Sequence, residues 1–409
     1  MSSEKMSSSS PPYDLIVVGA TGFVGQIICR YLCDHAERES FTWAIAGRSA
    51  EKLAQLKHSL GIPGETLATF VVDVFDQGTV TALCEQTKVI LTTVGPYSLY
   101  GETLLRACAT TGTDYCDLTG EVQWVKKMVT KYEVIAQQSG ARIVHCCGFD
   151  SVPSDLGVYF LQQRALEQFR KPCRQIKMRV KAAQGGISGG TAASGVNLIK
   201  EAIADPEIKA LLANPYALCP KAPNPQHPAP LIPVQIDHTF GEWVTPFIMA
   251  AVNTPIVLRS NALQNWAYGE QFQYDEGLLT GISVGGWLKA QGLSLLLKIL
   301  GGTAAIAPGI LEKIVPAPGE GPSPSQQQAG FYDLRFWGIT TSGEALMAKV
   351  TGDRDPGYGS TAKIIAQAGL CLAKDHLSRS GGFWTPATAM GEHLIDRLIA
   401  YSGLTFSIL

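Results

Sequence analysis

The segment Gly19-Ala20-Thr21-Gly22-Phe23-Val24-Gly25 constrains this chain more than any other. It closes a short apolar run, Tyr13 to Val18, and opens a stretch of helical apolar spacing from Phe23 to Cys33. Glycines at a strand-to-helix junction permit a tight turn and let the backbone approach a pyrophosphate closely. The helix start then offers free N–H groups and the positive end of its dipole. The spacing G-x-x-G-x-x-G is a variation on the dinucleotide fingerprint. On its own it also fits a plain strand-to-helix turn, so the surrounding pattern has to decide.

That pattern is a regular alternation. Strands are expected at Tyr13–Val18, Phe41–Ala46, Leu67–Val72, Val89–Thr93, Asp114–Asp117 and Arg142–Cys147. Helical spacing fills the gaps, most clearly at Ala50–Leu60, Glu102–Thr111 and Val122–Ser139. Strand-helix alternation of this kind implies a Rossmann-type doubly wound parallel sheet. After Pro153 the pattern changes. A helix at Ser154–Phe169 precedes a period-two strand at Gln175–Ala182, and seven prolines lie between Asn214 and Pro233. A hairpin is expected at Tyr332–Thr340 and Glu344–Thr351, followed by helices at Thr361–Lys374 and Met390–Tyr401. The expected organisation is a disordered tail at 1–12, a dinucleotide-binding domain at 13–150 to which 355–409 returns, and a second α+β domain on a mixed sheet at 151–354.

Composition narrows the class. The 409 residues carry 33 basic and 35 acidic side chains, a net charge of −2. That excludes the basic excess of a nucleic-acid binder. Hydrophobic residues make up 46%, which is too many for a disordered chain. The ten cysteines show no C-x-x-C pair, as expected of reduced, buried thiols. The serine-rich Met1–Pro12 lacks the apolar core of a signal peptide. A cytoplasmic protein is expected. One segment, 277–315, is rich in Trp287, Leu288, Leu293, Leu295, Leu296 and Leu297 but is cut by Lys289, Lys298 and Glu312. It is too interrupted to span a membrane. It reads as core, as a homodimer interface or as a peripheral membrane contact.

The cofactor site can be extended from the glycines. The second strand ends Ala46-Gly47-Arg48-Ser49, with Lys52 one turn on. An NAD enzyme usually has a carboxylate there. Arg48, Ser49 and Lys52 instead suit a 2′-phosphate, so NADP(H) is expected over NAD(H). Asp73 and Val74 follow the third strand and should bracket the adenine. Gly95, Pro96 and Tyr97 follow the fourth and should pass the nicotinamide ribose, which makes Tyr97 a candidate proton donor. With Gly19, Thr21, Gly22, Phe23, Val24 and Gly25 these residues complete the expected cofactor site. Weaker patterns remain. Gly186-Ile187-Ser188-Gly189-Gly190 matches a hydrolase nucleophile elbow. His145, Cys146, Cys147 and Asp150 form a conceivable metal cluster, but they lie on a buried strand, and no metal is expected.

The chain resembles the saccharopine dehydrogenase-like oxidoreductases, particularly the branch of trans-acting enoyl reductases. The glycine segment, Ala46–Ser49, Tyr115–Glu121, Gly148–Asp155, Ser188–Thr191 with Ser194, Asp355–Lys363 and Thr385–Ala387 carry that resemblance. It implies a Rossmann domain, a mixed-sheet second domain and a nicotinamide cofactor, without implying saccharopine as substrate. The apolar 277–315 segment suits a lipid-like or polyketide-like substrate better. The mechanism implied is hydride transfer to the β-carbon of an enoyl group, stabilisation of the enolate, and protonation at the α-carbon. Tyr97, Asp150 and Ser151 are the catalytic candidates, with Thr191, Tyr358 and Asp155 as further donors. Ser154 or Asp155 could instead cap the helix behind Pro153. The alternative implied by the resemblance is a membrane- or lipid-droplet-associated relative with a cofactor site but no saccharopine activity.

Overall fold

A computed structural model describes residues 11–185, 189–221, 232–306 and 321–409. Residues 1–10 of the expected 1–12 tail, the centre of the Ser188 motif and positions 307–315 of the apolar segment lie outside the described residues. Strands are numbered in chain order. The first sheet takes β1 (Tyr13–Val18), β2 (Trp43–Gly47), β3 (Ala68–Val71), β4 (Thr87–Thr92), β5 (Asp114–Asp117) and β6 (Arg142–Val144). The second takes β7 (Cys173–Gln184), β8 (Gln235–Asp237), β9 (Glu242–Pro246), β10 (Gln273–Gly281), β11 (Phe331–Thr340) and β12 (Ala345–Gly352). Of the last two strands, β13 (Gly382–Trp384) joins the first sheet and β14 (Leu404–Ile408) the second.

The first sheet runs β13-β6-β5-β4-β1-β2-β3, and every pairing in it is parallel. The interior strand β1 runs apolar from Leu15 to Val18 because both faces are covered: Leu15, Ile16 and Val17 have no exposure. The helix Thr361–Lys374 supplies part of that cover and packs on β1, β4 and β5. Gly369 permits the close approach, since a Cβ there would stand 2.9 Å from Leu15 Cδ1. The C-terminal stretch therefore divides: its helices and β13 build onto the first sheet, while β14 closes the edge of the second beside β12. All strands of the first sheet point the same way, so the loops after β1, β2, β3, β4, β5 and β6 gather at one edge. Ligands bind at that edge in sheets of this kind.

The second sheet is mixed, in the order β14-β12-β11-β7-β10-β9-β8. β7 and β10 are parallel, and the other pairings are antiparallel. Along β11, Tyr332, Leu334 and Phe336 point inward while Asp333, Arg335 and Trp337 are half-buried, the alternation of a strand with one covered face. The covered face packs on the helix Val152–Phe169. Contact is closest at Gly157, where a Cβ would fall 2.3 Å from the Phe336 ring. Gly157→Ala should therefore overpack this interface and cost about 1–3 kcal/mol, read as a lower urea midpoint with unchanged slope. On the opposite face Arg179 is buried and bonds Asp237 and Asp275, each at 2.6 Å. All ten cysteines are free, and all but Cys33 are buried.

Candidate active site

The glycine turn is a backbone cradle. Gly19 has φ +85°, and a Cβ on it would stand 2.7 Å from Thr93 Oγ1. Gly25 sits under the turn, where a Cβ would lie 2.3 Å from Gly19 O. Gly22 begins the helix Phe23–Glu39, and no side chain caps that start. The first N–H groups of the helix are left for an anionic ligand. Gly19, Thr21 and Gly22 form the rim. Val24 packs into the core, and the Phe23 ring meets Tyr358 edge-on at 5.1 Å. Phe23 thus clasps the C-terminal segment to the cofactor helix.

Arg48 and Lys52 are exposed beyond β2, and neither makes an ion pair among the described residues. Ser49 Oγ accepts from Lys52 N at 3.3 Å and so caps the helix Ala50–Ser59. Asp73 is exposed after β3 and accepts from Phe75 N at 3.0 Å, while Val74 is buried beneath it. Both acceptable shape and charge are therefore present for a dinucleotide carrying a 2′-phosphate: a cradle that any side chain would fill, and two free cations at the second strand.

The loop after β4 corrects one expectation. Tyr97 is buried, its hydroxyl donates to Thr92 O at 3.1 Å and accepts from Leu118 N at 3.1 Å. Burial pushes this phenol well above its ordinary range. Tyr97 bridges the ends of β4 and β5, and its proton is engaged by a carbonyl, which speaks against the expected role as a proton donor. The sequence reading missed the residue that holds this loop. Glu121, itself buried, accepts from Tyr97 N at 2.7 Å and Ser98 N at 3.0 Å. It also accepts from Ser194 Oγ at 3.2 Å, tying in the helix Gly189–Ala204 of the second half. The motif ending in Glu121 was visible, but its partners are not local.

The loop after β6 carries the remaining candidates. Ser151 is fully buried and donates to Asn253 Oδ1 at 3.0 Å, so its proton is also committed. That geometry is an anchor of the loop and speaks against the expected catalytic role. Neither Ser154 nor Asp155 caps the following helix, which begins at Val152 with no side-chain cap. Asp155 instead accepts from Ser260 Oγ at 2.5 Å and Ala387 N at 2.8 Å, binding three helices together. Burial raises its carboxyl to about 7. Asp150 differs from all of these. Its side chain is only partly buried and has no hydrogen-bond or ionic partner among the described residues. Desolvation lifts its carboxyl to about 6. A group with that value exchanges protons near neutrality, as a general acid must.

The other patterns resolve into structure or fall outside it. His145 Nδ1 meets Asp117 Oδ2 at 2.7 Å inside a ring of Tyr115, Trp124 and Phe383. Among the described residues no group of three or more His, Cys, Asp and Glu side chains is arranged to hold a metal. Ser188 lies outside the described residues, as does the side chain of Thr191. Beside the site, Gly185 abuts Pro356, and a cavity of ≈ 450 Å³ is lined by Gln184, Gly185, Pro322, Ser325, Gln326 and Ala329.

A glycine cradle on a parallel sheet, with a second, mixed sheet beside it, is the arrangement of a dinucleotide-dependent oxidoreductase. Residues 15–144 match the saccharopine dehydrogenase NADP binding domain. Over 411 residues the chain is 36% identical to the trans-acting enoyl reductase of Mycobacterium leprae (strain TN), covering 96% of this chain and 97% of the relative. It is 35% identical over 419 residues to the trans-acting enoyl reductase of Mycobacterium tuberculosis (strain ATCC 25618 / H37Rv), with 96% and 97% covered. The chain belongs to the family of these trans-acting enoyl reductases. Among solved structures, saccharopine dehydrogenase (L-Glu forming) from Saccharomyces cerevisiae superposes with a TM-score of 0.51 at 11% identity, covering 97% of this chain and 99% of that one. This likeness concerns the fold.

Proposed function

We propose that this protein is an NADPH-dependent enoyl reductase for a lipid- or polyketide-type substrate, with Asp150 as the proton donor. The observation that carries the reading is Asp150, a half-buried residue whose carboxyl has no partner among the described residues, following β6 at the sheet edge that bears the glycine cradle. NADPH, when bound, supplies the hydride that adds to the β-carbon of the conjugated carbonyl. The chain's own residues do the rest. Gly19, Gly22 and the start of the Phe23–Glu39 helix hold the pyrophosphate, and Arg48 and Lys52 hold the 2′-phosphate. Glu121 fixes the loop that passes the nicotinamide ribose. Asp150, protonated, delivers H⁺ to the α-carbon of the enolate and leaves as carboxylate, to be reprotonated from solvent. Oxidation of NADPH by a trans-2-enoyl thioester, followed at 340 nm, tests the reaction; a folded protein that binds NADPH but turns over no enoyl thioester of any chain length contradicts it.

The cofactor preference has its own test. Arg48→Ala removes a charge-assisted contact to the 2′-phosphate, worth roughly 1.5–3 kcal/mol. NADPH affinity should fall about 10- to 150-fold, with NADH binding within about twofold of the native value. An equal loss for both nucleotides in a fluorescence titration would place Arg48 away from the phosphate.

A second observation bears on where the substrate comes from. In the helix Val284–Ile306, Val284, Leu288, Leu295 and Ile299 are all more than half exposed. At about 100° per residue they share a sector of about 60°. Lys289 and Lys298 flank it, and no acidic residue lies between 284 and 299. A second copy seated here would face lysine with lysine, whereas anionic headgroups would pair with both. Among the described residues no helix is long and apolar enough to cross a membrane. The reading is therefore a surface contact with anionic lipid. Flotation with phosphatidylglycerol-containing vesicles should be lost in Leu288→Glu/Leu295→Glu. Equal flotation of the variant, or dimers that it dissolves without any vesicle binding, would contradict it.

A further inference from the structure

We propose that Asn253, held by Glu276, is a positioning residue that fixes the Asp150 loop in its proton-delivering geometry. This rests on the reading of Asp150 given above. The loop turns through Ser151, a non-glycine residue at φ +100° and ψ −36°. L-residues rarely adopt that conformation, and it persists only where the surroundings over-determine it. Here they do. Ser151 N donates to Phe149 O at 2.9 Å, and Ser151 Oγ donates to Asn253 Oδ1 at 3.0 Å. Asn253 Nδ2 donates to Ser154 Oγ at 3.2 Å and to Glu276 Oε2 at 3.0 Å. The other Glu276 oxygen, Oε1, accepts from Tyr274 OH at 2.6 Å.

All five groups are buried. As placed, the amide is satisfied at both ends. Turned over, Asn253 would set its oxygen against the Glu276 carboxyl and offer Ser151 no acceptor. The loop is pinned on its other side too: Phe149 N donates to Thr361 Oγ1 at 3.0 Å, and its ring meets Tyr332 at 4.8 Å. Both neighbours of Asp150 are thus locked while Asp150 itself has no partner among the described residues. The network ends at a fully buried Ser151, so it places the acid and carries no proton to the substrate.

The test uses the whole protein with NADPH and a trans-2-enoyl thioester. Ser151→Ala removes the anchor and keeps the cost of positive φ, so the loop should relax. Ser151→Gly removes the same anchor, but glycine takes this φ freely. Ser151→Ala should lower kcat at least about tenfold, with KM for NADPH within about twofold and the solvent isotope effect raised. Ser151→Gly should stay within about threefold of native. Asn253→Ala should resemble Ser151→Ala, and should add little in a Ser151→Gly background. Should Asn253→Ala fail to fold, the Ser151 pair still decides. Ser151→Gly as slow as Ser151→Ala would overturn the proposal, and so would native rates in both Ser151→Ala and Asn253→Ala. Asp150→Asn separates the two claims: native turnover in that variant overturns the reading of Asp150, whereas its inactivation beside native Ser151 variants overturns only the support.

Discussion

Asp150→Asn should lower kcat for enoyl reduction by about 10²- to 10⁴-fold, the range that a positioned general acid supplies. NADPH affinity should hardly change, because two strands, β5 and β4, lie between β6 and the strand that carries the glycine turn. The pH dependence follows from the same group. Burial raises the folded carboxyl to about 6 from an ordinary value of 3.8. The proton to be delivered is present below that value and lost above it. The native rate should therefore fall as pH rises through about 6, by up to tenfold per unit, until another proton source limits it. The Asn variant carries no titrating group there, and its profile should be flat across the same window. A steep limb that survives in Asp150→Asn would assign it to a different residue.

Gly25→Ala should carry the second large effect, on binding. A Cβ at position 25 would lie 2.3 Å from Gly19 O and 2.9 Å from both Ala20 C and Ala20 Cα. These are backbone atoms of the turn itself, so no flexible side chain can yield. Overpacking of this kind costs about 1–3 kcal/mol. The turn must open, and its N–H groups leave the pyrophosphate. NADPH affinity should drop roughly 5- to 150-fold, with NADH equally weakened, which separates this variant from Arg48→Ala. Undiminished binding of both nucleotides would show that the pyrophosphate lies elsewhere.

The first domain was legible because its signals are local. β1, β5 and the helices Glu102–Thr111 and Val122–Ser139 lie where apolar runs and period 3.6 place them. β6 stops at Val144, three residues short of the expected Cys147, because the backbone turns left-handed at Cys146, φ +61°, whose N–H is taken by the Asp117 carboxylate instead of a ladder carbonyl. β13 was not legible: its three residues, the first of them the second of two paired glycines, carry no period ahead of Thr385-Pro386. The helix Ala250–Leu263 was also hidden. It is buried almost all round, so no polar face marks it, and Pro255 inside it argues the other way. In the site, the glycine turn and Arg48 could be read directly. Tyr97 could not be judged, since its two backbone partners come from β4 and from the residue after β5. Asn253 and Glu276 lie 102 and 125 positions from Ser151. Only the packed fold brings them to it.

The most direct measurement is the fate of two hydrogens. The protein is incubated with NADPH deuterated at C4 and a trans-2-enoyl thioester in ordinary water, and the product is analysed by mass spectrometry and NMR. The account predicts a saturated thioester with one deuterium at the β-carbon and a solvent proton at the α-carbon, formed by the native protein and lost in Asp150→Asn. Label at the carbonyl carbon, label at the α-carbon, or no label in any enoyl substrate despite tight NADPH binding would contradict it.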